Sequence, residues 1–206
     1  MKISAIVPAY NEEKAIGNVI ESLRGVSSID QIVVVNDGSK DKTREIIEAN
    51  KEGITVIHNV RNMGKGFSVA GGLLNTDADI ILILDGDILN YSSSDLTSLY
   101  KPLLVGECDY AMKMTDNPHT KMTSGVRAYW RKDLVPLLAG MRESTRYGLE
   151  ALLNKRLSHL KWIFVQFNDC KHFQKFDKFP MPKAIWEYFK EGLSIAIQII
   201  RNNFSF

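Results

Sequence analysis

Ala78-Asp79-Ile80-Ile81-Leu82-Ile83-Leu84-Asp85-Gly86-Asp87 is an apolar run that ends in two carboxylates separated by a glycine. Five consecutive aliphatic residues, Ile80 to Leu84, read as a strand buried on both faces of a parallel sheet, so Asp85 and Asp87 emerge at its carboxyl end. Open α/β sheets bind their ligands at that end. Two carboxylates held there repel one another unless a cation sits between them, and oxygen ligands suit Mg²⁺ or Mn²⁺. Gly86 allows a tight turn and leaves room for a ligand phosphate. The competing reading is a strand end followed by a solvated acidic turn, because Asp-x-Asp alone is common.

Upstream of this strand, apolar segments and helical patterns alternate. Residues 3–7, 31–35 and 54–58 read as strands, and residues 11–23, 43–50 and 66–75 carry helical spacing, with Ile16, Val19, Ile20 and Leu23 on one face of the first helix. This alternation predicts an α/β fold with a mostly parallel central sheet flanked by helices. Residues 1–182 read as one domain, 1–91 forming a ligand-binding half and 92–182 a less regular α+β half beside the sheet. Residues 183–206 form a C-terminal amphipathic helix, with Ile185, Phe189, Leu193, Ala196, Ile197, Ile200 and Phe204 on one stripe.

Composition excludes several classes. The chain has 206 residues, 45% hydrophobic and 24% charged, as expected of an ordinary globular domain. Its 26 basic and 24 acidic residues leave a formal charge of +2, which gives no global reason to invoke nucleic acid. Cys108 and Cys170 lack metal-ligand spacing and fit a reduced, cytoplasmic setting. No signal-peptide pattern opens the sequence and no apolar run approaches the roughly 20 residues of a membrane span.

Three loops leave the carboxyl ends of the first three strands. Pro8-Ala9-Tyr10-Asn11-Glu12-Glu13 offers a fixed exit, an aromatic face and, in Asn11, a helix cap. In Asn36-Asp37-Gly38-Ser39, Asp37 can accept hydrogen bonds from a base or ribose. In Arg61-Asn62-Met63-Gly64-Lys65-Gly66, the glycines expose amides beside Lys65 at a helix N-terminus, an anion site. Each also reads as an ordinary turn, cap or solvated charge, but together they line one rim around Asp85 and Asp87. A dinucleotide fingerprint fails because its third glycine falls at Val69. An aspartyl phosphotransferase usually opens with its Asp-x-Asp strand, which here comes fourth.

Taken in order, Val7 to Glu12, Val35 to Thr43, Asn62 to Gly66 and Asp85-Gly86-Asp87 resemble the motifs of the family 2 glycosyltransferases with the GT-A fold. Ser124-Gly125-Val126-Arg127-Ala128-Tyr129 and Tyr147-Gly148-Leu149-Glu150 are similar to segments of the polyprenyl-phosphate (dolichyl-phosphate) sugar synthases. The resemblance implies a nucleotide-sugar donor, a Mg²⁺ or Mn²⁺ ion and transfer with inversion. It assigns Pro8, Ala9, Tyr10 and Glu12 to the nucleobase and ribose, Asp37 to the base, and Asp85 and Asp87 to the metal. Two departures stand out: Asn36 replaces an acidic residue, and Leu89 occupies the place of a polar metal ligand. Asn90 or His172 is the candidate to complete the shell.

The acceptor decides whether a base is required. A phosphate oxygen is already anionic at neutral pH, whereas a sugar hydroxyl needs a carboxylate to take its proton. Arg127, with its planar fork of donors, suits a phosphate acceptor, with Ser124 and Lys175 beside it. Glu150 is the base should the acceptor be a hydroxyl. The expected acceptor is a polyprenyl phosphate, with a soluble phosphorylated or sugar acceptor as the alternative. A non-catalytic domain that binds nucleotide sugars is the reading from another class. The tail, with Trp186, Tyr188, Lys183, Lys190 and Arg201, either packs on the domain or lies at the cytoplasmic face of a membrane.

Overall fold

A computed structural model describes residues 1–115, 122–144, 148–168, 170 and 181–204. Its chain order is β1 (Ile3–Ala9), α1 (Ile16–Arg24), β2 (Gln31–Asn36), α2 (Thr43–Ala49), β3 (Thr55–His58), α3 (Lys65–Leu74), β4 (Ile80–Ile83) and α4 (Ser93–Leu104). There follow β5 (Tyr110–Lys113), β6 (Arg127–Trp130), α5 (Arg131–Leu134), a 3₁₀ turn at Val135–Leu137, α6 (Leu138–Glu143), α7 (Leu149–Arg156), β7 (Trp162–Val165) and α8 (Met181–Phe204).

The strands form one sheet in the order β3-β2-β1-β4-β6-β5-β7. β6 runs antiparallel to both its neighbours, and every other pairing is parallel. The mostly parallel α/β architecture expected from the sequence is therefore present. The second half departs from expectation: instead of standing beside the sheet, its three strands extend the same sheet past β4. Each of those strands is only four residues long, too short for a period to show.

Alternate residues of the central strands feed two cores. Ile3, Ala5 and Val7 of β1 with Ile80 and Leu82 of β4 join α1 and α4 on one face. Ile6, Ile81 and Ile83 meet α3, α6 and α7 on the other. Chain order reverses between β1 and β4, so the crevice at their carboxyl ends is the switch point at which open sheets bind ligands.

Two local expectations are corrected. α1 begins at Ile16, and Asn11 does not cap it. Asn11 takes a left-handed φ of 57°, and its side-chain carbonyl accepts the Lys40 amide at 2.8 Å, tying the loop after β1 to the loop after β2. α8 forms as expected and packs against α7, yet it leaves Ile185, Trp186, Phe189, Leu193, Ile197, Ile199 and Ile200 exposed. Among the described residues no helix is long and apolar enough to cross a membrane.

Candidate active site

Four loops and one helix start converge at the switch point. The loop after β1 is fixed by donors and acceptors from the loop after β2: the Asn11 amide donates to Ser39 Oγ at 3.0 Å and the Glu12 amide to Thr43 Oγ1 at 2.7 Å. The Asp37 amide donates to the Ala9 carbonyl at 2.8 Å. Pro8 and Tyr10 remain partly exposed above this lacing, and Ala9 is buried beneath them. Gly86, also buried, lies so close that a Cβ on it would stand 3.1 Å from the Pro8 carbonyl oxygen.

Asp37 has a role the sequence reading missed. Its carboxylate is buried and accepts the Met63 amide at 2.9 Å, the Gly64 amide at 2.8 Å and Asn59 Nδ2 at 2.8 Å. Of the glycine amides expected to await a ligand anion, that of Gly64 is therefore already taken by the chain's own anion. Asn36, where an acidic residue was expected, also bonds within the chain. Its Oδ1 accepts the Ser39 amide, and its Nδ2 lies 3.1 Å from His58 Nδ1.

Lys65, the first residue of α3, reaches past this loop. Its ammonium donates to Asp85 Oδ1 at 2.6 Å and to Glu150 Oε1 at 2.8 Å, joining the end of β4 to the first turn of α7. All three side chains are largely withdrawn from water, at 21%, 24% and 13% exposed. Burial is the strongest single influence on the ammonium and lowers its pKa, but the two carboxylates together raise it above the usual lysine value. Lys65 is thus charged throughout the neutral range, and the bridge is lost only as pH rises through that elevated pKa. Behind the bridge lies Gly125. Any Cβ there would collide with Lys65 Nζ and the Asp85 carboxylate. Gly66 is needed for a different contact, since a Cβ on it would strike Ser144 Oγ and the Met141 carbonyl of the α6 region.

Arg127, expected at the acceptor, is bonded within the chain. It is 1% exposed, and its fork is turned inward. Nε donates to the Ser124 carbonyl at 2.6 Å, Nη1 to Tyr129 Oη at 3.0 Å and Asn154 Oδ1 at 2.7 Å, and Nη2 to the Met122 carbonyl at 2.8 Å. These bonds hold the turn that delivers Gly125 to the site. Ser124 is buried with it.

Asp85 and Asp87 are both partly exposed at the mouth of the crevice, and the Tyr91 hydroxyl donates to the Asp85 carbonyl at 3.0 Å, fixing the turn between them. Among the described residues no three His, Cys, Asp or Glu side chains converge as a cage. A pair of carboxylates is nonetheless what Mg²⁺ or Mn²⁺ uses when a substrate diphosphate completes the shell. Leu89 is half-buried and Asn90 exposed, while His172 and Lys175 lie outside the described residues.

The sequence profile described as glycosyl transferase family 2 matches residues 4–161, which include every element of the crevice. The chain belongs to glycosyl transferase family 2. Within the family, it is 39% identical over 97 residues to a dolichyl-phosphate beta-glucosyltransferase of Trichomonas vaginalis, covering 41% of this chain and 30% of that one. It is 32% identical over 114 residues to a glucosyl-3-phosphoglycerate synthase of Mycobacterium tuberculosis, covering 51% of this chain and 35% of that one. The chain thus spans 30% to 50% of the length of several curated relatives. The fold matches the crystal structure of the M. tuberculosis synthase in complex with Mn²⁺, UDP-glucose and phosphoglyceric acid. That match has a TM-score of 0.78 at 22% identity and covers 98% of this chain and 79% of the other. The likeness confirms the GT-A fold expected from the sequence.

Set within family 2, the residues overlooked in the sequence are those that hold motif side chains in place. Asn59 follows β3 directly, at the ligand end of the sheet, and that position was the available signal. Gly125 stands two residues before a short strand, and only its approach to Asp85 reveals its purpose. Asn154 and Tyr91 carry no sequence signal.

Proposed function

We propose that this family 2 chain transfers a sugar, with inversion, from a nucleotide-sugar donor to a polyprenyl-phosphate acceptor, using a divalent cation held by Asp85 and Asp87. The observation that carries the reading is the Asp85-Gly86-Asp87 turn at the β1/β4 switch point, flanked by Pro8 to Glu12 on one side and by Lys65 on the other. Pro8, Ala9, Tyr10 and Glu12 hold the nucleoside, and Lys65 stands ready for diphosphate charge. When bound, Mg²⁺ or Mn²⁺ supplies Lewis-acid neutralisation of the charge that develops on the leaving diphosphate. Orientation does much of the remaining work, because a phosphate nucleophile needs no base.

The exposed apolar face of α8 supports a lipid-linked acceptor, as does the likeness to a dolichyl-phosphate glucosyltransferase. A second reading, a soluble phosphorylated acceptor attacked through its hydroxyl, is favoured by Glu150. That carboxylate lies one lysine away from Asp85 and suits a general base, whereas Arg127 is committed elsewhere. Transfer assays that set polyprenyl phosphate against phosphoglycerate, each with a panel of UDP- and GDP-sugars and Mn²⁺, separate the two. Asp87→Ala removes a metal ligand without touching either core, so transfer should fall by roughly 100-fold or more while the thermal melt stays near that of the parent. Full activity in that variant, or in excess chelator, rules out the metal-dependent reading.

A further inference from the structure

The ammonium of Lys65 occupies the ground that a divalent cation would contest. It lies 2.6 Å from Asp85 Oδ1, on one of the two carboxylates assigned to the metal, and 2.8 Å from Glu150 on the far side. The bridge is shielded from water on all three members, so its charges are weakly screened. Gly125 backs closely onto both groups, since a Cβ there would collide with the ammonium and with the Asp85 carboxylate. A cation approaching Asp85 and Asp87 alone meets one carboxylate already neutralised and a positive charge within hydrogen-bonding distance of it.

Resting on the reading of Asp85 and Asp87 as the metal pair, we infer that Lys65 is a positioning residue that makes metal binding depend on the donor. In the donor-free protein Lys65 holds Asp85 and Glu150 together and keeps the divalent-cation affinity of the pair low. The diphosphate of an arriving nucleotide supplies negative charge that both the ammonium and the cation can share, so Asp85 is released to the metal only when the donor is seated. Glu150 loses its counter-ion at the same moment and becomes available on the acceptor side. The metal and donor therefore bind as one unit, and an ion is not retained once the nucleoside diphosphate has left.

Mn²⁺ binding, followed by electron paramagnetic resonance of the free ion with and without saturating UDP, tests this without any turnover. In the parent protein UDP should tighten Mn²⁺ roughly tenfold or more, a difference of about 1.4 kcal/mol. Lys65→Gln keeps a hydrogen-bond donor and discards the charge. It should tighten Mn²⁺ in the absence of UDP and shrink the UDP effect, whereas Lys65→Arg should retain the parent pattern. Equal Mn²⁺ affinity with and without UDP in the parent protein overturns the inference, and so do Gln and Arg variants that behave alike. If Mn²⁺ does not bind even with UDP, the metal-dependent reading itself fails. If Lys65→Gln does not fold, Lys65→Met, which keeps the stem without the charge, takes its place beside Lys65→Arg, and equal Mn²⁺ affinity of those two without UDP overturns the inference.

Discussion

Arg127 and Gly125 show how the same short segment serves stability and chemistry through different residues. Arg127 spends four hydrogen bonds on its own neighbourhood, two of them on the backbone carbonyls of Ser124 and Met122. Arg127→Lys cannot reproduce the planar fork and should cost about 3 kcal/mol of stability in urea unfolding. Because the turn supports the proposed donor site, donor hydrolysis and sugar transfer should fall together. Loss of transfer alone would return Arg127 to the acceptor. Gly125→Ala acts in the opposite sense. Its new Cβ meets first the side-chain ends of Lys65 and Asp85 rather than backbone, so the melt should fall only modestly. A displacement of order 1 Å at the reacting centre should still reduce transfer by roughly 100-fold. The carboxylates were legible in the sequence because five aliphatic residues end at them. The intrachain bonds of Arg127 and Asp37 were not legible because charge and spacing give no account of burial: the partners of Asp37 lie more than twenty residues away in another loop.

At the scale of elements, α8 is where the proposal of a lipid-linked acceptor is most exposed to test. Phe189 and Leu193 are 60% and 52% exposed one turn apart, Trp186 stacks on Phe189 with centroids 5.6 Å apart, and Lys190 lies over the Trp186 ring. Aromatic and aliphatic side chains on one face with basic residues beside them suit the headgroup boundary of an anionic bilayer. The full chain should co-sediment with vesicles of anionic phospholipid at low salt and partly detach as salt rises, and Phe189→Asp with Leu193→Asp should remain in the supernatant. A parent chain that stays in solution leaves α8 without a membrane role and favours the soluble acceptor. The first-half strands could be read from sequence because each is flanked by a helix with a clear apolar stripe. β5, β6 and β7 could not, because four-residue strands show no period and β6 takes its place only by pairing backwards with β4.

For the molecule as a whole, a thermal-shift panel of nucleotide sugars ranks the donor directly, since a ligand that binds only the folded state raises the melting temperature. The donor base should be identifiable as the one whose diphosphate sugar stabilises the protein in Mn²⁺, and chelator should abolish most of that shift. No shift with any nucleotide, with or without metal, would contradict the proposed activity. One feature of the sheet bears on the birth of the chain. β4, the aliphatic strand that carries the Asp85 turn, pairs with β1 on one side and with β6 on the other, and residues 127–130 are synthesised well after residue 83. At roughly 5–20 residues per second, β4 is an open apolar edge on the nascent polypeptide for some seconds. Such an edge is a template for pairing with another chain. Overexpression therefore risks aggregation during translation, even for a protein that is stable once complete, and slower synthesis at lower temperature with a chaperone present is the remedy this topology recommends.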